Sequence, residues 1–164
     1  MSGISTSLVQ WFTAHNISAE WTVFIISMLP ILELRGGLIA ASLLKVPMWK
    51  AIFLCVAGNI LPIPFILFYI KRFLHWLADH HFSKLVAKLE AKAEKNRPGI
   101  EKYGFWGLAI FVGIPLPGTG AWTGSLVAAL FDMDLKKASW SILLGVFIAC
   151  VIMTLVSYGV IANV

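Results

Sequence analysis

"LPILELRGGLIAASLL", residues 29–44, sets Glu33 and Arg35 inside a run otherwise apolar enough for a bilayer interior, with Pro30 just before them and Gly36 and Gly37 just after. A second stretch, "GIPLPGTG", residues 113–120, interrupts another apolar run in the same way. The arms on either side are short: 21–32 and 36–44 around the first break, 105–114 and 121–131 around the second. A helix needs about 20 apolar residues to cross the hydrocarbon core, so arms of half that length reach only the midplane. Paired half-length arms with Pro and Gly at the join read as re-entrant helical hairpins. The other possibility, one span kinked by proline, would leave a charged, glycine-rich break facing lipid unless protein covered it. Residues 51–70 and 138–161, by contrast, are each long enough to span.

Composition agrees that a bilayer is the solvent. Of 164 residues 59% are hydrophobic and 13% charged, against about 25% charged in a soluble domain. The first twenty residues lack the Lys and Arg of a cleaved signal peptide, and Leu8, Trp11, Phe12 and His15 recur as on an interfacial helix. Cys55 and Cys150 fall in apolar stretches, where a small buried hydrophobe is the expected role. Trp11, Trp21, Trp49, Trp76, Trp106 and Trp140 lie at segment ends, as interface anchors do.

Residues 21–70 overlay 108–157 without gaps. The overlay brings Phe24, Leu29, Pro30, Gly37, Ala41, Leu43, Lys50, Ala51 and Gly58 onto Phe111, Leu116, Pro117, Gly124, Ala128, Leu130, Lys137, Ala138 and Gly145. This reads as an internal repeat of hairpin plus one span. A hairpin returns to its starting side and one helix crosses, so the second unit is inverted relative to the first, an arrangement common in transporters. The expected fold is therefore an all-α integral membrane protein, one domain over 1–164. It comprises an interfacial helix (1–20), repeat 1 (21–70), a linker (71–103) and repeat 2 (104–161).

Basic residues set the orientation. The linker holds Lys71, Arg72, Lys84, Lys88, Lys92, Lys95, Arg97 and Lys102, and Lys136 and Lys137 fall on the same side, against Lys45 and Lys50 opposite. By the positive-inside rule the linker is cytoplasmic and both termini are outside. Phe82, Leu85, Val86, Leu89 and Ala93 recur at helical spacing opposite the lysines, which predicts an amphipathic helix on anionic headgroups, ended by "NRPG", 96–99. The net charge of +5 thus has a membrane explanation, and no nucleic acid is expected as a partner.

"PILELRGG" (30–37), "GNILPIP" (58–64) and "GIPLPGTGAWTGSL" (113–126) resemble the signature blocks of the putative small multidrug export proteins, small prokaryotic membrane proteins related to the DedA/VTT superfamily. The resemblance covers most of the chain from about residue 20. It implies two re-entrant hairpins packed at the membrane centre and movement of lipid carriers such as polyprenyl phosphates, coupled to membrane potential or protons. Two positions depart from the pattern: Ile39 stands where a proline is expected after the Arg-Gly pair, and Thr119 where DedA-type members often carry an acid.

A broken helix presents free backbone N–H groups at the start of its returning arm, here Gly36–Ile39 and Ala121–Gly124, and such ends bind anions. With the planar fork of Arg35 and the hydroxyls of Thr119, Thr123 and Ser125, two tips meeting at the midplane would form an anion cup. The candidate substrate-binding residues are Arg35, Gly36, Gly37, Asn59, Thr119, Gly120, Thr123 and Ser125. Glu33 is either the ion-pair partner of Arg35 or a protonatable group for coupling, and it is the sole acidic residue in any membrane-centre segment. The pair could instead be structural, fixing how the hairpins dock, although ionisable residues inside a membrane are functional more often than not. Asn59 could serve a helix–helix hydrogen bond instead of substrate.

His75, Asp79, His80 and His81 could be grouped as a metal cluster, yet they sit at the membrane boundary where polar aromatics are common; neither metal nor cofactor is expected. No nucleophile–base pair lies near the centre, so no enzyme is expected either. The leading function is a transporter of an anionic lipid carrier or other small anion. The alternatives are a proton-coupled exporter of cationic compounds, against which Arg35 argues, and a non-transporting assembly factor. Expected partners are membrane lipids, the anionic substrate and a second copy of the chain in a dimer.

Overall fold

The computed structural model describes residues 2–77, 79, 83–116 and 118–160, and among these the only regular structure is helical. The elements are α1 (Ser2–Ala14), α2 (Ala19–Met28), α3 (Glu33–Leu43), α4 (Met48–Ile60), α5 (Ile63–Leu77), α6 (Ser83–Gly113), α7 (Ala121–Leu130) and α8 (Leu135–Thr154), the last continuing into a π-helical end, Leu155–Val160. Among the described residues two stretches are long and apolar enough to cross a membrane: Met48–Ile70, of 23 residues, and Leu135–Gly159, of 25. The first is α4 plus the start of α5, interrupted by a turn at Leu61 and Pro62. Phe53, Phe65, Phe68, Phe147 and Leu155 are exposed on these helices, an outer surface suited to lipid.

The short arms form two helical pairs. Helices α2 and α3 pack together across a break at residues 29–32, and the end of α6 packs on α7 across residues 114–120. Each pair also packs on the helix that follows it, α4 in the first unit and α8 in the second. Small residues permit the close approach: Gly58 of α4 sits against the Phe24 carbonyl, and Gly145 of α8 against Val112 and the Ala109 carbonyl.

Two backbone features recur at the spacing of the sequence overlay. Lys45 and Asp132, 87 residues apart like every aligned pair, both take left-handed φ, 55° and 54°. They close matching helix ends. Lys45 and Val46 N–H donate to the Ser42 and Ala41 carbonyls at 3.1 and 2.9 Å, and Asp132 and Met133 N–H to those of Ala129 and Ala128 at 3.3 and 3.0 Å. Glu33 (φ 50°) and Gly120 (φ 128°) also share that spacing, each at the start of a helix, α3 and α7.

Outside the units, Phe12 of α1 is buried against Ile26, Leu32 and Ala40 of the first pair. The units are tied at one end by the Ser42 hydroxyl donating to the Ser157 carbonyl and the Tyr158 hydroxyl to the Val46 carbonyl, both at 2.8 Å. At the N-terminal end of α2, the Lys50 ammonium donates to Glu20 at 2.8 Å, and this bond holds the Glu20 carboxyl below its ordinary value.

The linker differs from expectation. Helix α6 does not stop at "NRPG" but runs through Pro98, and its break comes at Gly104 (φ 53°, ψ −120°). Val86 and Ile100, on either side of Pro98, are both buried in the fold, so packing carries the helix past a residue that lacks an N–H. Gly104 can bend where it does because a backbone without Cβ enters this region freely. Of the expected apolar face, only the side chain of Val86 is described; Phe82, Leu85, Leu89 and Ala93 lie outside the described side chains.

Candidate functional site between the two helical breaks

Glu33 and Arg35 open α3 and are both buried, each 5% exposed. Neither charge could rest in an apolar interior without partners, and the partners lie 77–89 residues away in the other unit. The Arg35 guanidinium donates to the carbonyls of Leu116 (2.7 Å), Ile114 (3.0 Å) and Val112 (3.2 Å) and to Thr119 Oγ1 (3.0 Å). Val112 lies in the last turn of α6, whose final carbonyls have no intrahelical donors, and Ile114 and Leu116 follow in the break after Gly113. The Glu33 carboxylate accepts from the Ala121 N–H through Oε2 and the Trp122 N–H through Oε1, both at 3.0 Å. It therefore caps the N-terminus of α7.

Each charge meets the helix end of opposite sign, the cation at a C-terminus and the anion at an N-terminus. A third link runs the other way. Trp122 Nε1 donates to the Met28 carbonyl, the last residue of α2, at 3.1 Å. This explains why Trp122 stands apart from the other six tryptophans, which are all at least 54% exposed at segment ends; Trp122 is half-buried between the tips.

Backbone geometry serves the contact. Glu33 holds a left-handed φ that costs an L-residue about 1–2 kcal/mol, offset by the two N–H bonds its carboxylate gains. Gly120 has no side chain because the Glu33 carboxyl group fills the place where a Cβ would stand.

Of the residues singled out from sequence, Arg35, Thr119 and Gly120 meet Glu33 at this junction. Thr119 is itself held, its hydroxyl within reach of the Ile114 and Leu116 carbonyls at 2.8 and 2.9 Å. Of the N–H groups expected free at the α7 start, those of Ala121 and Trp122 are taken up by Glu33 and that of Gly124 by the Gly120 carbonyl. At the α3 start, the Gly36 N–H donates to the Leu32 carbonyl at 2.8 Å, and Gly37 packs against Ser27 and Cys55. Ser125 is buried and turns back to donate to the Ala121 carbonyl at 2.6 Å. Asn59 lies elsewhere, at the end of α4. Pro117, His80 and His81 are outside the described residues. Sequence reasoning missed the carbonyls of Val112, Ile114 and Leu116 and both nitrogens of Trp122. A signal for the carbonyls was present in the two prolines of "GIPLPGTG", which cannot continue the preceding helix and so mark a C-terminal end whose last carbonyls need donors.

Beside the junction lies a cavity of about 360 Å³ walled by Pro30 and Ile31 of the first tip, Trp122, Thr123 and Leu126 of α7, and Ile66 and Ile70 of α5. Thr123 is the one candidate residue that lines it. Its walls are otherwise apolar side chains, so it suits the hydrocarbon part of a small molecule.

No curated protein and no solved structure matches the chain. One family model does, under the description "Putative small multi-drug export protein", over residues 33–152. The match begins at Glu33, just after the first helical break, and takes in the Arg35 fork, the second break and most of α8, so the paired helices joined by these two buried charges belong to a membrane protein of the small multi-drug export family.

Proposed function

We propose that this chain is a proton-coupled transporter of small amphipathic anions, with Glu33 occupying the substrate's anion site in the resting state. One observation carries the reading: the Glu33 carboxylate rests on the Ala121 and Trp122 N–H groups at 3.0 Å each, at the start of the same helix whose Trp122 and Thr123 wall the apolar cavity. Protonation would turn one carboxyl oxygen into a donor facing an N–H, weakening the cap. The freed helix N-terminus then takes the anionic head of a substrate whose apolar part lies in the cavity.

The two units act as inverted repeats in this reading, with α2–α3 and the end of α6 with α7 as re-entrant hairpins and alternating access between them. The matching turns at Lys45 and Asp132 support the repeat. The linker faces the cytoplasm and both termini lie outside. A lipid phosphate and a small anionic drug share the required chemistry. A cationic drug would find at the junction only a carboxylate already engaged by N–H donors, beside a guanidinium.

The test is transport into proteoliposomes under an imposed proton gradient, using a fluorescent short-chain isoprenyl monophosphate, a fluorescent anionic dye and ethidium. Uptake of one or both anionic probes, not of ethidium, is expected. Glu33→Gln keeps the shape and removes the titration, so gradient-driven uptake should fall at least tenfold, with a loss of stability of about 1–3 kcal/mol from the mismatched N–H. Transport by folded Glu33→Gln at the parental rate would remove protons from the mechanism. Ethidium uptake alone would favour the cationic reading, and uptake of none of the probes an assembly role.

A further inference from the structure

Asn59 is 2% exposed, and its Oδ1 has no hydrogen-bond partner. Buried polar atoms are almost always partnered, so an orphan inside a membrane-length helix calls for a reason. Its surroundings are unusual in a second respect. Helix α4 ends at Ile60 and a turn at Leu61 and Pro62 separates it from α5. Pro62 has no N–H to offer the Gly58 carbonyl, and Pro64 has none for the Ile60 carbonyl. The break thus leaves two carbonyls without their helical donors on either side of the unpartnered Asn59 amide oxygen, at the negative end of a helix.

We propose that the α4–α5 break binds an alkali-metal cation, with Asn59 Oδ1 and the carbonyls of Gly58 and Ile60 among its ligands. Hard cations take oxygen ligands, and unwound carbonyls at half-helix C-termini are how membrane carriers hold monovalent ions. Every oxygen named is neutral. That favours a monovalent ion, because a divalent one needs carboxylates to offset its dehydration, and neither α4 nor α5 contains Asp or Glu. The site is independent of the proposed role of Glu33 and stands or falls on its own measurement.

That measurement is thermal unfolding of the purified full chain in detergent, followed by tryptophan fluorescence, in chloride salts of sodium, lithium, potassium or choline at equal ionic strength. At least one alkali cation should raise Tm by several degrees over choline, saturably, as specific binding to the folded state does. Asn59→Ala should abolish that shift. Pro62→Ala returns an N–H to the Gly58 carbonyl and should abolish it too, while raising Tm in choline; this variant decides the matter if Asn59→Ala fails to fold. Equal Tm in all four salts, or a cation shift that survives Pro62→Ala, overturns the proposal.

Discussion

Arg35→Ala is expected to lose most of the folded protein. The substitution strips donors from the Leu116, Ile114 and Val112 carbonyls at once and leaves the buried Glu33 carboxylate without the neighbouring cation. Breaking a buried charged contact by removing one partner costs about 3–5 kcal/mol, a large share of the roughly 5–15 kcal/mol that holds a typical domain together. Arg35→Lys should fall between. Its ammonium keeps the charge, but a single point cannot span acceptors that the planar fork reaches with two nitrogens. The check is Tm and monodispersity in detergent for the parent and both variants. The ordering parent, Lys, Ala is the expected result. A parental Tm for Arg35→Ala would mean that the four hydrogen bonds do not hold the two units together. If both variants fold but no longer bind an anionic probe, Arg35 acts in recognition and not in docking.

Gly120→Ala should be nearly as damaging, through a different cause. Its φ of 128° is one that L-residues rarely adopt, and the added Cβ would collide with the Glu33 carboxyl group. Backbone strain of this kind costs about 1–3 kcal/mol, and displacing the carboxylate also uncaps α7. The two contributions separate in a double-mutant cycle. In a Glu33→Ala background the collision is gone and only the strain remains, so Gly120→Ala should cost at least about 1 kcal/mol less there than in the parent. Equal costs in the two backgrounds, read from Tm, would show that the carboxylate does not fill this space.

Much of this architecture was legible in the chain. Arms too short to span, two full-length apolar segments and breaks rich in Pro and Gly could be read directly, because hydrophobic length and proline chemistry are local. The likeness of 21–70 to 108–157 was legible too, and the left-handed turns at Lys45 and Asp132 carry it into the backbone. The stop of the linker helix was misplaced at "NRPG" because propensity there is overridden by burial of Val86 and Ile100, which are contacts with distant segments.

The sequence by itself determined that two opposite charges lie buried at a helical break and that free helix ends would be there to meet them. Only the tertiary structure decided which end meets which charge. Arg35 could have faced an N-terminus together with a bound anion; instead it takes carbonyls at and just beyond the C-terminal end of α6, and Glu33 takes the first N–H groups of α7. The physical reason is separation along the chain. These contacts join residues 77–89 positions apart, and a local pattern can mark a group as needing a partner without naming one. The choice follows from the docking of one unit against the other, in which each helix dipole finds the charge that offsets it.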